Sequence, residues 1–348
     1  MMDDQTPDTR RSQERGPRRV RMVDVARQAG VALVTVSRVL HVPEKVAPET
    51  RARVEQVIRE TGYVPNLVAR SLVAARTRIV AALIPTIDNS LHADIVQAVD
   101  EHCRASGLHL VLGCTNFTLD NEEEMVRSLL AHQPEAIYLT GITHSPATRA
   151  MLASAAIPVV EASNLPEEPI DMAVGYSNAA ATEALVQMLI ETGRRRIALV
   201  YAPIASNDRQ IDRRRAYQGT LEAAGIATDP ALVVEADLTI AGGAAAMRML
   251  LDRKVEMDAV FCSSDVLAVG ALMECQRQGI KVPDQLALAG FDDLPIAAEL
   301  VPALTTVRVP RRRIGEEAAR LILARLEGHP LEQRVIDTGF EIVRRQSA

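Results

Sequence analysis

The sequence predicts a multidomain protein in which an all-α helix-turn-helix head precedes a bilobal α/β body with parallel sheets. Three observations support this fold class. Residues 20–62 place apolar side chains at helical spacing in three short segments. From residue 79 onward, short apolar strands alternate with helices, which is typical of parallel sheets with right-handed crossovers. The charge also divides there, because residues 1–78 hold 15 basic and 9 acidic residues and the remainder hold 24 and 36.

The first element of the chain is a polar, charged stretch, residues 1–19, which we expect to be a disordered tail. The helix-turn-helix domain follows at residues 20–62. Residues 63–78 are predicted to form a hinge helix and linker, and residues 79–348 the two-lobed body.

Three helices are predicted in the head, with a turn at Gly30 between the first two and a buried face on the second formed by Val36 and Val39. Ala32 and Ala47 precede the second and third helices, and alanine is a poor N-cap that costs about 1 kcal/mol relative to serine. We therefore expect a marginally stable head. The predicted helices span residues 23–29, 33–40 and 48–61.

The body is predicted to contain two strand-helix units in series, with the pattern restarting near Asn178. In open α/β sheets, ligands bind beyond the carboxyl ends of the strands, so we expect a binding cleft between the lobes. A late helix at residues 314–327 is expected to return to the first lobe. The predicted strands are residues 79–84, 108–112, 136–139, 159–160, 197–201, 232–235, 259–262 and 286–289. The predicted helices are residues 91–106, 121–132, 146–155, 179–193, 213–224, 242–253 and 266–279.

Composition narrows the class of protein. The chain is 48% hydrophobic and 24% charged, as is usual for a globular protein. A net charge of +6 on residues 1–78 predicts a polyanionic partner at that end, although an Arg-rich, solvated tail is an alternative. The four cysteines lack paired spacing, so we expect no disulfide framework, metal site or cofactor. We also expect a cytoplasmic protein, since no signal sequence or membrane span is apparent.

Five short motifs lie within residues 20–72. They are residues 24–26 (DVA), 29–31 (AGV), 35–40 (TVSRVL), 50–51 (TR) and 62–66 (GYVPN). Together they resemble the lactose-repressor (LacI) family of bacterial transcription regulators. The resemblance implies a homodimer that binds a pseudo-palindromic operator in double-stranded DNA. It also implies a hinge helix whose Asn66, Ala69 and Leu72 contact DNA, with Leu72 as a minor-groove wedge.

The second helix of such a head lies in the major groove, with its first residues at the base edges. Leu33, Val34, Thr35, Ser37 and Arg38 are therefore the predicted contacts. Leu33 and Val34 are aliphatic where this family is commonly polar or aromatic, so they can touch a thymine methyl group but cannot hydrogen-bond a base. We expect Arg38 and the hinge to carry an unusually large share of the specificity.

The resemblance extends to the C-terminus through residues 258–270, 289–293 and 304–307. It implies a body similar to periplasmic sugar-binding proteins, which closes on a small effector and also mediates dimerisation. Carried over by position, Asp292 is the expected acceptor for a sugar hydroxyl. Arg213 is the expected pocket arginine, although Arg214 and Arg215 leave its register open by one residue. Further contacts are expected from His92, Leu238 and Ser264.

Several stretches resemble the gluconate-utilisation branch of this family. A guanidinium binds a carboxylate with two parallel hydrogen bonds, and Arg213, Arg311 and His144 would supply positive charge for a sugar acid. We therefore expect gluconate or a keto-gluconate as effector. Another anionic sugar, a neutral sugar, a co-repressor, and a solvated Arg311–Arg313 cluster remain alternatives, as do an unregulated sugar-binding protein and an enzyme with a fused DNA reader. The stretches are residues 139–140, 143–146, 157–161, 171–178, 274–277 and 337–340.

Overall fold

The computed structural model describes residues 20–64, 77–88 and 92–348, and the chain forms two compact units, Met1–Thr77 and Arg78–Ala348. The predicted tail, residues 1–19, lies outside the described residues. The predicted hinge contacts Asn66, Ala69 and Leu72 lie outside them as well.

The head consists of helices α1 (Met22–Ala29), α2 (Leu33–His41) and α3 (Pro48–Thr61), with a short 3-10 turn at Pro43–Lys45. Gly30 ends α1 with φ 64°, a left-handed conformation that glycine adopts without steric cost. The three helices pack around a small core of alanine and valine side chains. The buried members are Val25, Ala26, Ala29, Val36, Val39, Val54 and Val57.

The predicted N-caps of the head are confirmed. Ala32 and Ala47 occupy the cap positions of α2 and α3, and neither helix has a side-chain hydrogen bond at its cap. Pro48 follows Ala47 as the first residue of α3, where its fixed φ suits a helix start. By contrast, α1 is supported by Asp24, whose Oδ2 accepts the backbone N–H of Arg21 at 2.9 Å.

The first lobe of the body is a six-stranded, fully parallel sheet in the order β11-β5-β4-β3-β1-β2. Its strands are apolar along most of their length because helices cover a parallel sheet on both faces; five of the six residues of β1 are buried. The elements are β1 (Ile79–Ile84), α4 (Ala93–Ala105), β2 (His109–Cys114), α5 (Leu119–Ala131), β3 (Ala136–Thr140), α6 (Pro146–Ser154), β4 (Val159–Ala162), β5 (Met172–Gly175) and, near the C-terminus, β11 (Val335–Asp337).

The second lobe is a four-stranded parallel sheet in the order β7-β6-β8-β9, with α9 packed closely on α10. A 3-10 turn at Pro230–Leu232 precedes β7. The elements are α7 (Asn178–Glu191), β6 (Ile197–Tyr201), α8 (Asp208–Ala223), β7 (Val233–Glu235), α9 (Ile240–Asp252), β8 (Ala259–Cys262), α10 (Asp265–Arg277), β9 (Ala287–Ala289) and α11 (Pro295–Glu299).

The end of the chain connects the two lobes. Strand β10 (Thr306–Arg308) pairs antiparallel with β12 (Glu341–Val343), and α12 (Arg311–Leu326) between them packs on α4 and on the strands of the first lobe. The predicted return of a late helix to the first lobe is therefore confirmed. Because β11 then joins the first sheet beside β5, the chain crosses between the lobes several times. These crossings connect the two lobes on either side of the cleft.

One predicted helix boundary is wrong in a way that affects the cleft, and five short elements were not predicted. The helix predicted at residues 213–224 begins five residues earlier, at Asp208, which brings Arg209 and Gln210 onto its first turn. The short strands β5, β10, β11 and β12 and helix α11 were not predicted, because three to five residues provide too little periodicity. Within the described residues, no helix is both long and apolar enough to cross a membrane.

Candidate functional site

The head presents the predicted DNA-contacting side chains on one helix. At the start of α2, Leu33 and Val34 are 46% and 56% exposed, and Arg38 is exposed one turn further on. Thr35 and Ser37 are half-buried, while Val36 and Val39 of the same helix point into the core. Helix α2 thus offers solvent a face that combines two aliphatic side chains with one guanidinium.

The body contains a narrow cavity between its two lobes, close to the carboxyl ends of the parallel strands. Its volume is about 30 Å³. That is room for about one or two water molecules, so the cleft is closed. The lining residues are His92, Ile95, Phe117, Ser163, Tyr176, Asn207, Arg209, Gln210, Arg213, Leu238, Asp292, Val309 and Arg311.

Arg213 is buried at the centre of this site and is only 3% exposed. Its guanidinium donates to Asn178 Oδ1 at 3.0 Å, to Ser263 O at 2.5 Å and to Tyr176 Oη at 3.0 Å. Its Cζ lies 3.6 Å from the centroid of the Phe291 ring, a favourable cation–π distance. Arg213 faces inward while Arg214 stacks over Tyr201 and Arg215 is exposed, so the geometry selects one of the three adjacent arginines.

Asp292 lies opposite Arg213 and is 1% exposed. Its Oδ1 is 3.5 Å from Arg213 Nη2, and its Oδ2 accepts the hydroxyl of Ser264 at 3.0 Å. Burial raises the pKa of Asp292, and the neighbouring Arg213 opposes that rise. Its φ of 111° is costly for any residue except glycine, on the order of 1–3 kcal/mol, and such strain is often found at ligand sites.

The strained loop around Asp292 is held from behind by Asp265, which is fully buried. Asp265 Oδ2 accepts the backbone N–H of Leu294 at 2.7 Å, and its Oδ1 accepts the Thr306 hydroxyl at 2.6 Å. Ser264 likewise supports Asp292 and is absent from the cavity lining. The structure therefore places the predicted contact Ser264 behind the cavity wall.

Arg311 lines the cavity but is already engaged by the protein. Its Nε donates to Asp94 Oδ2 on α4 at 2.9 Å, and its Nη1 donates to the backbone carbonyls of Asp292 and Asp293. Asp94 belongs to the first lobe and Asp292 to the second. Arg311 therefore ties the two lobes together on one side of the cleft.

Asp208 ties the lobes on the other side. From the first turn of α8, its Oδ2 accepts the backbone N–H groups of Ile142 and Thr143 at 2.8 and 3.2 Å, and its Oδ1 accepts Asn164 Nδ2 at 3.1 Å. These partners lower the pKa of Asp208 despite the opposing effect of burial, and the charge of Arg209 contributes most. Asp208 and Arg311 together explain why the cleft is closed.

Four buried side chains of the lining carry a polar atom that has no hydrogen-bond partner in the described part of the chain. Buried polar groups are normally paired, so a cluster of unpaired atoms around a cavity is typical of a ligand-binding site. Sequence reasoning found only one of the four residues, His92; the others, together with Arg209 and Phe117, were missed. The atoms are His92 Nδ1, Ser163 Oγ, Asn207 Oδ1 and Gln210 Oε1.

Of two further predicted effector contacts, Leu238 and His144, only Leu238 lies at the cavity. Leu238 lines the cavity, where it offers an apolar surface but no ring. His144 does not line it: the ring is buried between Glu122 and Glu161, 2.9 Å from Glu122 Oε1 and 3.3 Å from Glu161 Oε1. Burial lowers the pKa of His144, but the hydrogen bond that its ring donates to Glu122 and the negative charges of Glu122 and Glu161 outweigh burial and raise the pKa to about 9. Its charge is therefore neutralised away from the cavity.

The described residues form neither a metal-binding cluster nor a reactive cysteine site. No group of three His, Cys, Asp or Glu side chains among the described residues is arranged to hold a metal ion. Cys103, Cys262 and Cys275 are buried free thiols, and burial raises the pKa of each. These three thiols remain protonated near neutral pH, which makes them unreactive, and no cysteine is among the residues that line the cleft.

Comparison with known proteins matches both parts of the chain. The family described as bacterial regulatory proteins, lacI family, matches residues 21–66, and the periplasmic binding protein-like domain matches residues 186–348. The HTH-type transcriptional regulator GntR of Pseudomonas aeruginosa is 36% identical over 93% of this chain and 94% of its own length.

Two solved structures are similar over nearly the whole chain. A LacI-family transcriptional regulator from Silicibacter pomeroyi has a TM-score of 0.88 and 30% identity, covering 94% of this chain and 99% of that one. A complex of the transcriptional regulator CelR with cellobiose has a TM-score of 0.69 and 31% identity, covering 95% and 100%.

Proposed function

Since the chain belongs to the LacI family, and is thus a DNA-binding transcriptional repressor, we propose that a small sugar acid, gluconate or a keto-gluconate, controls its binding to an operator. The observation that carries the proposal is the closed cleft, into which Arg209, Arg213 and Arg311 all project. Asp94 pairs with Arg311 and Asp292 lies beside Arg213, so the guanidinium of Arg209, with its single long contact to Asp208 among the described residues, is the one that favours an anionic ligand. The stretches that resemble the gluconate-utilisation branch point to the same class of ligand.

Unpaired polar atoms favour a ligand rich in hydroxyl groups. A hydroxyl can both donate and accept a hydrogen bond, so it can satisfy the amide ends of Asn207 and Gln210 and the ring nitrogen of His92 alike. Phe117 adds an aromatic surface against which the C–H groups of a sugar can pack. A polyhydroxylated acid such as gluconate combines these features in one small molecule.

The closed cleft also suggests how a ligand could control DNA binding. Its volume is too small for a six-carbon acid, so the lobes must separate, or lining side chains must move, before the ligand can enter. Entry therefore competes with the contacts that Asp208 and Arg311 make across the cleft. We propose that this rearrangement changes operator affinity, with a coupling free energy of about 1–3 kcal/mol as is typical of allosteric proteins.

On DNA, we propose a homodimer that binds a pseudo-palindromic site through two heads. Arg38 would read guanine by a bidentate contact, with Leu33 and Val34 against thymine methyl groups and Thr35 and Ser37 on phosphates or bases. Asn66, Ala69 and Leu72 would contact the minor groove as parts of the hinge. We propose no enzymatic activity, and a turnover assay with each candidate acid tests that part.

The proposal is tested by titrating the full-length protein on a fluorescent operator duplex selected from a random pool. Gluconate or a keto-gluconate should shift the apparent operator Kd by about 5- to 150-fold, while glucose and cellobiose at the same concentration should not. An increase in Kd would identify an inducer, and a decrease a co-repressor. A response to cellobiose alone would refute the sugar-acid proposal, and would favour a neutral ligand like that of CelR.

A further inference from the structure

The three arginines of the cavity differ in how many partners they already have. Arg213 donates to three neutral oxygens and lies close to Asp292, and Arg311 donates to Asp94 and to two backbone carbonyls. Arg209 makes a single long contact in the described part of the chain, from Nη1 to Asp208 Oδ1 at 3.4 Å. Most of the donors of Arg209 are therefore available to a ligand.

Asp208 is the neighbouring counter-charge of Arg209, but it leaves most of the Arg209 donors unused, because its oxygens also accept other hydrogen bonds. Both of them accept hydrogen bonds from the first lobe, one from two backbone N–H groups and the other from Asn164. Arg209 itself is only 8% exposed, and a buried guanidinium without good partners is costly. An additional carboxylate at Arg209 would remove that cost.

The position of Arg209 is defined by both lobes. It arises from the first turn of α8, and its side chain reaches across to the loop that follows β3. Gly141 of that loop has φ +100°, and a Cβ there would lie 2.5 Å from Arg209 Nη1. The absence of a side chain at Gly141 leaves the space that the guanidinium occupies.

Resting on the sugar-acid function proposed above, we propose that Arg209 binds the carboxylate of the effector and so makes the site select acids over neutral sugars. Asn207, at the N-cap of α8, and Gln210, on its first turn, bind hydroxyl groups of the same molecule, and Ser163 and His92 bind others from the first lobe. Arg213 and Arg311 act as positioning residues, which hold Asp292 and the two lobes.

His92 supports this division of labour. It is buried, and burial together with the charge of Arg209 lowers its pKa to about 3. The ring is therefore neutral near pH 7 and does not compete with Arg209 for the carboxylate. Its unpaired Nδ1 can exchange a hydrogen bond with a hydroxyl group in either direction, depending on the tautomer.

The test compares gluconate with gluconamide, which replaces the carboxylate by a neutral amide of similar shape. Calorimetric titration of the full-length wild-type protein should show tighter binding of gluconate by about 10- to 100-fold. Arg209→Gln should weaken gluconate binding by a similar factor and change gluconamide binding by less than about threefold. Arg209→Lys keeps the charge without the forked geometry and should retain part of the preference.

Arg214→Gln is the matched control. Arg214 lies on the same helix as Arg209, but its guanidinium stacks on Tyr201 outside the cavity. It should bind both ligands like the wild type. If the wild type prefers gluconate and Arg209→Gln or Arg209→Lys keeps the full preference, the role of Arg209 is wrong while the sugar-acid function stands. If the wild type binds gluconate no better than gluconamide, both proposals are wrong.

Discussion

Replacing Arg213 by methionine is expected to destabilise the body by an amount that depends on pH. The guanidinium makes three hydrogen bonds to neutral oxygens, lies 3.5 Å from Asp292 Oδ1, and stacks 3.6 Å from the Phe291 ring centroid. Methionine fills a similar volume but can donate none of these hydrogen bonds. The substitution therefore removes the charge while keeping much of the packing.

The magnitude follows from the burial of the pair. Arg213 is 3% exposed and Asp292 is 1% exposed, so solvent screens their interaction little. Breaking a buried ion pair by removing one partner costs about 3–5 kcal/mol. At about 2–4 °C per kcal/mol for a body of this size, the melting temperature should fall by about 6–20 °C.

The pH dependence comes from Asp292. Its folded-state pKa is already raised by burial, and loss of Arg213 removes the charge that opposes the rise. A carboxyl group whose pKa is raised in the folded state binds its proton more tightly there than in the unfolded state. Its contribution to the free energy of unfolding is therefore fully present below the unfolded-state pKa and is lost as pH rises through the folded-state pKa. The loss within that window is about 1.4 kcal/mol per pH unit. Arg213→Met should therefore be less destabilised relative to wild type at pH 5 than at pH 8.

Urea denaturation of the full-length protein, followed by far-UV circular dichroism because the chain has no tryptophan, measures both effects. The double variant Arg213→Met with Asp292→Asn should lose the additional pH dependence, and Arg214→Met is the control for loss of a neighbouring arginine. The reasoning is refuted if the destabilisation by Arg213→Met is below about 1 kcal/mol, or if it is the same at pH 5 and pH 8.

Three further predictions concern the head and the cleft. Ala32→Ser should stabilise the head by about 1 kcal/mol, seen as slower hydrogen exchange of its amides in the full-length chain; faster exchange would contradict the cap assignment. Arg38→Ala should cost about 1–3 kcal/mol of discrimination between operator and random DNA, and unchanged discrimination in a competition titration would exclude it as the main base contact. Asp208→Ala removes the buried carboxylate on α8 that accepts hydrogen bonds from the first lobe, and it should increase the radius of gyration of the unliganded protein in solution scattering. The control Glu222→Ala, at an exposed residue of the same helix, should leave the radius of gyration unchanged.

The general architecture could be predicted from local patterns. Three helices with Gly30 at a turn, followed by alternating strands and helices, reflect periodicities that depend on near neighbours in the chain. The short strands β5 and β10–β12 could not be predicted this way, because their pairing partners lie far away in sequence. Strand β11, for example, joins β5 across 160 residues of chain, and only the completed sheet provides its hydrogen bonds.

The cleft was predicted less completely than the fold. The sequence pointed to Arg213, Asp292, Arg311, Leu238 and His92, all of which line the cavity. It missed the first turn of α8, although the pair Asn207-Asp208 is a common way to begin a helix and could have indicated the earlier start. Extending the helix would have placed Arg209 and Gln210 one turn before Arg213.

The positive charge of His144 shows the limit of such reasoning most clearly. Its residue type suits an anion site, but a sequence does not reveal that Glu122 and Glu161 enclose the ring.

The sequence by itself determined the helix-turn-helix head, the two-lobed parallel body and which side chains of α2 are exposed, because each depends on the order of residues along the chain. Only the tertiary structure decided which arginine of the cleft has the fewest partners among the described residues, because that depends on oxygens supplied by distant elements. Asp94, Ser263 and the carbonyl of Asp292 occupy the other two guanidinium groups, and Arg209 keeps its donors because the residue beside it, Asp208, is bound to the opposite lobe.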